Sequence, residues 1–352
     1  MEALVLDTNF VAVTVLDNFK SFIWTDRYQE CGDFELYLVM TNDLVNIIKK
    51  DYYLWMKDST HVMIIEEIEV TSDVEDGTFM IVTGRSLESI LDRRIVWNQT
   101  SVAGNLENAV KKLLTDAIIS PAIADRKIGN FIFEASNDPY INSLTLNAQY
   151  TGDTIYDVIR DICKASQIGF QIRLTDDNKF AFKLYSGEDR SYEQEENPYV
   201  VFSPSYDNII NSNYLNSNTN FKNVTLVAGQ GEGAERKTTI VGVASGLTRR
   251  EYYTDARDIS LKDNEGNEIP EADYQKKLVQ RGTEKLSERI VNILFEGEME
   301  TTKMFKYGEH FFMGDIVEIE DKYGHEERAY ISEFIFSQDE GGISRYPTFV
   351  TL

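Results

Sequence analysis

One pattern occurs twice in this chain and limits what it can fold into. Residues 65–73 read IEEIEVTSD and residues 331–339 read ISEFIFSQD, so both fit I-x-E-[IF]-x-[VF]-[TS]-x-D. Upstream of each, Gly-Asp leads into an alternating strand: Gly32-Asp33 before Phe34–Leu38, and Gly314-Asp315 before Ile316–Ile319. Period-two alternation marks a strand with one buried face. The shared order of Gly-Asp, strand, gap and motif implies a duplicated β-unit, the first copy carrying an extra segment at 41–60. Chance is the competing reading, because strand–turn–strand pieces draw on a small alphabet. Duplication predicts two related β-barrels, each interrupted by helical material.

The rest of the chain fits a mainly β, α+β reading. Strands are predicted at 10–16, 22–25, 61–70 and 78–83, with a hairpin turn at Glu75-Asp76-Gly77 and a short helix at 86–93. An α/β unit is predicted over about 101–200. Asn105 caps a helix that buries Leu106, Ala109, Val110, Leu113, Leu114 and Ala117 and stops at Pro121. Thr154 caps a second helix, in which Ile155, Val158, Ile159, Ile162 and Cys163 share a face. A hairpin, 170–174 with 180–184, follows. The Asn- and Ser-rich stretch 203–222 reads as a linker, yet Ile209, Ile210, Tyr214, Leu215 and Phe221 predict that it packs. Further strands are predicted at 223–227 and 238–243, a helix from Pro270, and strands through the last fifty residues.

Composition excludes several functions. The 35 Lys and Arg against 59 Asp and Glu give a formal charge of −24, a poor match for nucleic acid or anionic lipid. The N-terminus carries Glu2 and Asp7 where a signal peptide needs cations, and apolar runs such as Val62–Ile65 are far too short to span a bilayer. Cys31 and Cys163 match no metal or redox spacing and read as buried free thiols of a protein folded in a reducing cytoplasm.

Signals for chemistry are weak. His61, His310 and His325 have no partner at zinc spacing, and no G-x-S-x-G is present. Paired carboxylates carry little information among 59 acids. The segment 263–268, DNEGNE, lacks calcium-loop spacing and reads as a solvated turn. Gly229, Gly231 and Gly233 follow a strand as a phosphate loop would. The β-branched segment after them offers no helix N-terminus, so a bulge or tight crossing between strands is the better reading. No cofactor or metal is expected.

The densest cluster of informative residues is 22–38, FIWTDRYQECGDFELYL. Trp24, Arg27 and Tyr28 are types that dominate binding hot spots. The plainer reading is a strand and turn with Trp24 in the core and Arg27 paired locally. IWTDRYQECGDFELYL resembles a signature of the tail-hub proteins of long-tailed bacteriophages, also described as the N-terminal structural part of tail-associated lysins. The blocks IIEEIEV with GRSLESILDRRIVW (64–70, 84–97), TIYDVIRDICKASQIGFQIRL (154–174) and NVTLVAGQGEGAER (223–236) are similar to further blocks of that family, in the same order. Val39 departs from it, standing where the family pattern has Pro.

The resemblance implies a fold like the contractile-tail baseplate hub: two tube-forming β-barrels, each with an insertion, in a trimeric ring. The first barrel would comprise 1–100 with 200–236 and the second 237–260 with 295–352, with insertions at 101–199 (α/β) and 261–294 (helical). A trimer of a duplicated barrel presents six barrels around its axis and so meets a sixfold tail tube. Implied partners are a distal tail protein ring, the tape-measure protein and a tail fibre or spike. Phage DNA would pass through without specific binding. The implied location is the virion tail tip, assembled in the host cytoplasm. Trp24, Arg27, Tyr28, Gly32, Asp33 and Phe34, with the three loop glycines, are expected to be structural or interface residues rather than catalysts. Alternatives are a tail-associated cell-wall hydrolase or peptidase, for which no room is expected after Leu352, and a host-saccharide-binding baseplate component. The charge reads either as solubility or as an acidic lumen that DNA does not adhere to.

Overall fold

The computed structural model describes residues 1–73, 77–263, 265–299, 304–324 and 326–352. Glu75 and Asp76 of the expected turn, Asn264 of the 263–268 segment, and His325 lie outside the described residues.

The chain opens with β1 (Ala3–Leu6), β2 (Ala12–Leu16), β3 (Ser21–Arg27) and β4 (Asp33–Val39). A short helix α1 (Asn42–Ile47), β5 (Tyr53–Trp55) and the long strands β6 (Val62–Asp73) and β7 (Gly77–Ser86) follow. Alternation turns Phe22 and Trp24 of β3, Phe34, Leu36 and Leu38 of β4, and Met80 and Val82 of β7 into one core. Each such burial contributes roughly 1.5–3 kcal/mol. The segment predicted as a helix at 86–93 is a 3₁₀ helix, Leu87–Arg93.

The α/β unit contains β8 (Thr100–Asn105), α2 (Leu106–Leu114), β9 (Phe131–Glu134), α3 (Pro139–Ser143), β10 (Thr145–Tyr150), α4 (Ile155–Ser166), β11 (Gly169–Leu174) and β12 (Phe180–Tyr185). Both predicted caps are made: Asn105 Oδ1 accepts from Asn108 N at 3.0 Å and Thr154 Oγ1 from Asp157 N at 3.0 Å. A wider π turn, Thr115–Ile119, continues α2 up to Pro121. Val110, Leu113, Ile159 and Ile162 pack with Phe170 and Phe182 in a second core.

The chain then returns through β13 (Val201–Phe202) and β14 (Ile209–Ser217), so the Asn- and Ser-rich stretch joins the sheet: Ile209 is buried and Tyr214 packs against the core, whereas Ile210 and Leu215 are exposed. Strands β15 (Val224–Ala228), β16 (Thr238–Val241) and β17 (Glu251–Asp255) form a separate three-stranded sheet. Helix α5 (Glu271–Ser287) lies on it through Tyr274 and Leu278. Last come β18 (Asn292–Met299), β19 (Ile316–Glu320), β20 (Glu326–Asp339) and β21 (Gly342–Thr351).

A thirteen-stranded sheet organises the molecule. Its order is β14-β18-β21-β20-β3-β4-β7-β6-β5-β1-β2, with β19 beside β20 and β13 beside β19. Among the described residues this path is open, ending at β14 and at β2.

The duplication is visible in the strand order. β3-β4-β7-β6-β5 and β14-β18-β21-β20-β19 are the same five-stranded arrangement, joined where β20 pairs with β3. The repeated motif marks a bulge. In β6 the register skips Glu66, between Ile65↔Gly84 and Glu67↔Thr83; in β20 it skips Ser332, between Ile331↔Phe349 and Glu333↔Thr348. The residue x of I-x-E is thus the extra residue of both bulges.

The Gly-Asp half of the repeat does not correspond. Asp51 N donates to Ile65 O at 2.8 Å and Ile65 N to Tyr52 O at 2.8 Å; Gly314 N donates to Ile331 O at 2.9 Å and Ile331 N to Asp315 O at 3.0 Å. Asp51 and Gly314 share the left-handed backbone, with φ +65° and +86°. Gly314-Asp315 therefore matches Asp51-Tyr52 and leads into β19, the counterpart of β5. Gly32-Asp33 leads into β4, the counterpart of β18.

Candidate functional site: the β3–β4 joint

The residues singled out in 22–38 meet at a joint between the two five-stranded units and the α/β insertion. Trp24 is fully buried, paired with Phe34 on β4 and Phe336 on β20. Its Nε1 donates to Asp26 Oδ1 at 2.9 Å. Arg27 spans the junction of the two units. Its Nε donates to Glu333 Oε1 on β20 at 2.5 Å, and its Nη1 donates to Asp33 Oδ2 at 2.5 Å and to Cys31 O at 2.9 Å. Glu333 is the Glu of the second I-x-E, so the bulge places this carboxylate against the first unit.

Tyr28 is the wedge of the joint. Its N–H donates to Ser332 O, the carbonyl of the bulged residue, at 3.0 Å. Its ring lies between Tyr185 and Tyr330, at centroid distances of 5.4 and 5.8 Å. The ring also covers Gly169 and Gly314, where a Cβ would stand 2.3 Å from Tyr28 Cε2. Burial pushes the Tyr28 phenol far above its usual range, so it stays protonated.

The turn after Tyr28 docks the insertion. Cys31 N donates to the Tyr156 hydroxyl at 3.0 Å, Gln29 Nε2 donates to Ile168 O at 3.2 Å, and Lys164 pairs with Glu30. Gly32 exchanges bonds with Ser86: its N donates to Ser86 Oγ at 2.8 Å and its O accepts from Ser86 N at 2.9 Å. A Cβ on Gly32 would stand 2.3 Å from Thr25 O, so only glycine fits. Cys31 and Cys163 are free and buried, and burial lifts the Cys31 thiol to about 12.

Behind the joint lies a buried ionic node that sequence reasoning missed. Asp26 accepts from Ser59 Oγ at 2.7 Å and lies 3.2 Å from His61 Nδ1. His61 Nε2 lies 4.0 Å from Glu88 Oε1, and Glu88 accepts from Ile172 N of the insertion at 2.6 Å. Tyr307 of the second unit reaches Asp26 Oδ2 at 3.4 Å. Nδ1 is misaligned for a full hydrogen bond to Asp26 and Nε2 is too far from Glu88 for one, so charge attraction holds His61 between them. Burial opposes the charged imidazole, but Asp26 and Glu88 together outweigh it and raise its pKa to about 9. One signal was available: His61 directly precedes the apolar run Val62–Ile65, which places it in the core.

The glycine loop lies elsewhere, between β15 and β16. Gly229 packs on the Tyr274 hydroxyl, which accepts from Gln230 N at 2.9 Å and donates to Ile259 O at 3.1 Å. Gly231 has φ +102°, a turn conformation that glycine adopts without strain, and Gly233 begins a three-residue 3₁₀ turn. No α-helix starts here to receive a phosphate. His310 Nδ1 accepts from Lys306 N at 3.1 Å, and Asp263 accepts from Glu265 N and Asn267 N. Among the described residues no group of three or more metal-ligating side chains converges, and no helix is long and apolar enough to cross a membrane.

The whole fold is similar to solved phage tail proteins. A tail protein from Neisseria meningitidis MC58 matches with TM-score 0.61 at 12% identity, over 99% of this chain and 95% of that one. The 43 kDa tail protein of prophage MuSo2 from Shewanella oneidensis matches with TM-score 0.61 at 11% identity, over 100% and 98%. The prophage tail protein gp18 from Listeria monocytogenes EGD-e matches with TM-score 0.52 at 11% identity, over 99% and 94%. At such identities the likeness shows the fold. No curated protein matches the sequence. A family model, siphovirus ReqiPepy6 Gp37-like protein, matches residues 2–349, and this chain belongs to that family.

Proposed function

We propose that this chain is a structural hub of the phage tail tip. Three copies form a ring of six five-stranded units that caps the tail tube. The two units would be tube-forming barrels, drawn around β3–β7 and around β14 with β18–β21. Residues 87–200 and 218–291 would be their insertions, which redraws the sequence-based boundaries. The ring joins a distal tail protein ring to a fibre or spike and contributes to the channel for tape-measure protein and DNA. Trp24, Arg27, Tyr28, Gly32, Asp33 and Phe34 serve as the internal joint that holds the two units and the insertion in one geometry. The chain acts without catalysis, at the virion tail tip, after assembly in the host cytoplasm.

The observation that carries this reading is the duplicated strand order in a chain with a tail-protein fold. Duplication converts a threefold assembly into one with sixfold contacts on one side. Light scattering on the purified protein tests it. The expected mass is that of three 40.4 kDa chains. A protein that stays monomeric up to high micromolar concentration, and that electron microscopy of the particle places away from the tail tip, overturns it.

A further inference from the structure

The end strand β14 and the far edge of β6 correspond to the two strands that meet in the middle of the sheet, β3 and β20, and this identifies how one copy meets the next. Within the chain, the second unit joins the first through one strand pair, β20 with β3. Glu333 stands opposite Arg27, Phe334 opposite Asp26, Ile335 opposite Thr25, Phe336 opposite Trp24 and Ser337 opposite Ile23. The counterpart of β20 is β6, aligned by the bulges so that Glu333 corresponds to Glu67. The counterpart of β3 is β14. Trp24 stands opposite Phe34 and Tyr214 opposite Phe295, while Phe34 and Phe295 stand opposite the corresponding positions Gly84 and Phe349.

β14 ends the sheet. β6 pairs with β5 only over Val62–Ile64, so its edge from Glu67 onward meets no strand among the described residues. We infer that β6 of one copy pairs antiparallel with β14 of the next, repeating the β20–β3 register: Glu67 opposite Ser217, Ile68 opposite Asn216, Glu69 opposite Leu215, Val70 opposite Tyr214 and Thr71 opposite Asn213.

Burial supports the assignment. Phe334 and Phe336 are buried at the internal junction, whereas Val70, the counterpart of Phe336, is 51% exposed. Leu215, opposite Glu69, is 41% exposed. A free strand edge is a template for another strand, and here the chain contains the matching strand. Every ring contact is then of one kind, within a chain or between chains. The inference rests on the proposed ring and names its contact.

Cysteine pairs in the full chain test it. Residues directly opposite in an antiparallel pair lie about 4.5–5.5 Å apart at Cα, within disulfide reach. Glu69→Cys with Leu215→Cys puts the two thiols on one face; Glu69→Cys with Asn216→Cys puts them on opposite faces. Oxidation of the first variant is expected to shift the one-chain band to a three-chain band that reduction reverses. The second variant stays at one chain. Val70→Glu, on the exposed edge, is expected to lower the solution mass to one chain that keeps the wild-type circular dichroism spectrum. A wild-type trimer in which the in-register pair fails to link, or the off-register pair links equally, overturns this contact and leaves the hub reading intact. A wild-type monomer overturns both.

Discussion

The buried His61 node makes stability fall at high pH, by an amount that follows from its surroundings. His61 is fully buried beside two buried carboxylates, and its pKa rises from 6.5 to about 9. A group with a raised pKa in the folded state binds its proton more tightly there than in the unfolded chain. Its contribution is complete below pH 6.5 and is lost as pH climbs through 9. The shift, at 1.36 kcal/mol per unit, corresponds to about 3 kcal/mol. His61→Gln removes the titration and leaves Asp26 and Glu88 without their cation, which costs roughly 3–5 kcal/mol near neutrality.

The assay is urea unfolding of both proteins at intervals from pH 6 to 10, followed by tryptophan fluorescence. Taking the difference between them cancels the charge repulsion of the acidic chain as a whole. The wild-type advantage is expected to be largest at pH 6–6.5 and to shrink by about 3 kcal/mol by pH 9.5. A difference that stays flat, or that grows with pH, refutes a protonated His61 at the centre of the node.

Four further substitutions, at three positions, probe the joint and the glycine loop. Arg27→Ala removes charge-assisted bonds to Glu333 and Asp33, both partly exposed, and is expected to cost about 1–2 kcal/mol in urea unfolding. Arg27→Lys is expected not to restore it, because an ammonium cannot hold both carboxylates and Cys31 O in a planar fork. Gly32→Ala drives a Cβ against the Thr25 carbonyl and is expected to lower stability by roughly 1–3 kcal/mol, or to leave the protein insoluble on expression. Tyr274→Phe strips Gln230 N and Ile259 O of their shared partner and is expected to cost about 1–2 kcal/mol, with hydrogen exchange rising in the 229–237 loop.

Local chemistry was legible in the sequence, and long-range pairing was not. Helices α2 and α4 announced themselves because their caps and apolar faces are written within a dozen residues. The I-x-E motif was legible because a bulge needs particular residues in particular places. The strand before it was misjudged for a physical reason. The structural marker there is a left-handed residue, Asp51 in one copy and Gly314 in the other. Backbone conformation can be shared without shared residue type, whereas Gly32-Asp33 shares the letters and not the position. The equivalence of β3 with β14 was hidden too, since Trp24 is matched by Tyr214 in an Asn- and Ser-rich strand. The ionic node unites Asp26, Ser59, His61, Glu88 and Tyr307, which no spacing rule connects.

The two kinds of contact in the inferred ring differ in composition in a way their assembly history explains. The internal junction lies within one chain and is buried. It is accordingly aromatic: Trp24, Phe334 and Phe336 are buried, Tyr307 stacks on Phe334 at 4.2 Å, and Arg27 closes one end. The β6 and β14 edges must first exist in solution on a folded chain. An aromatic edge of that length would invite pairing with any strand. β6 instead places Glu67 and Glu69 on one face and only Ile68 and Val70 on the other, while β14 carries a single aromatic, Tyr214, with Leu215 among Asn213, Asn216 and Ser217. Glu67 and Glu69 repel a second β6, so two such edges disfavour each other, while the uncharged β14 segment accepts one. In the inferred ring, charge at this edge would select the head-to-tail partner that closure needs, giving the acidity of the chain a local use there besides solubility.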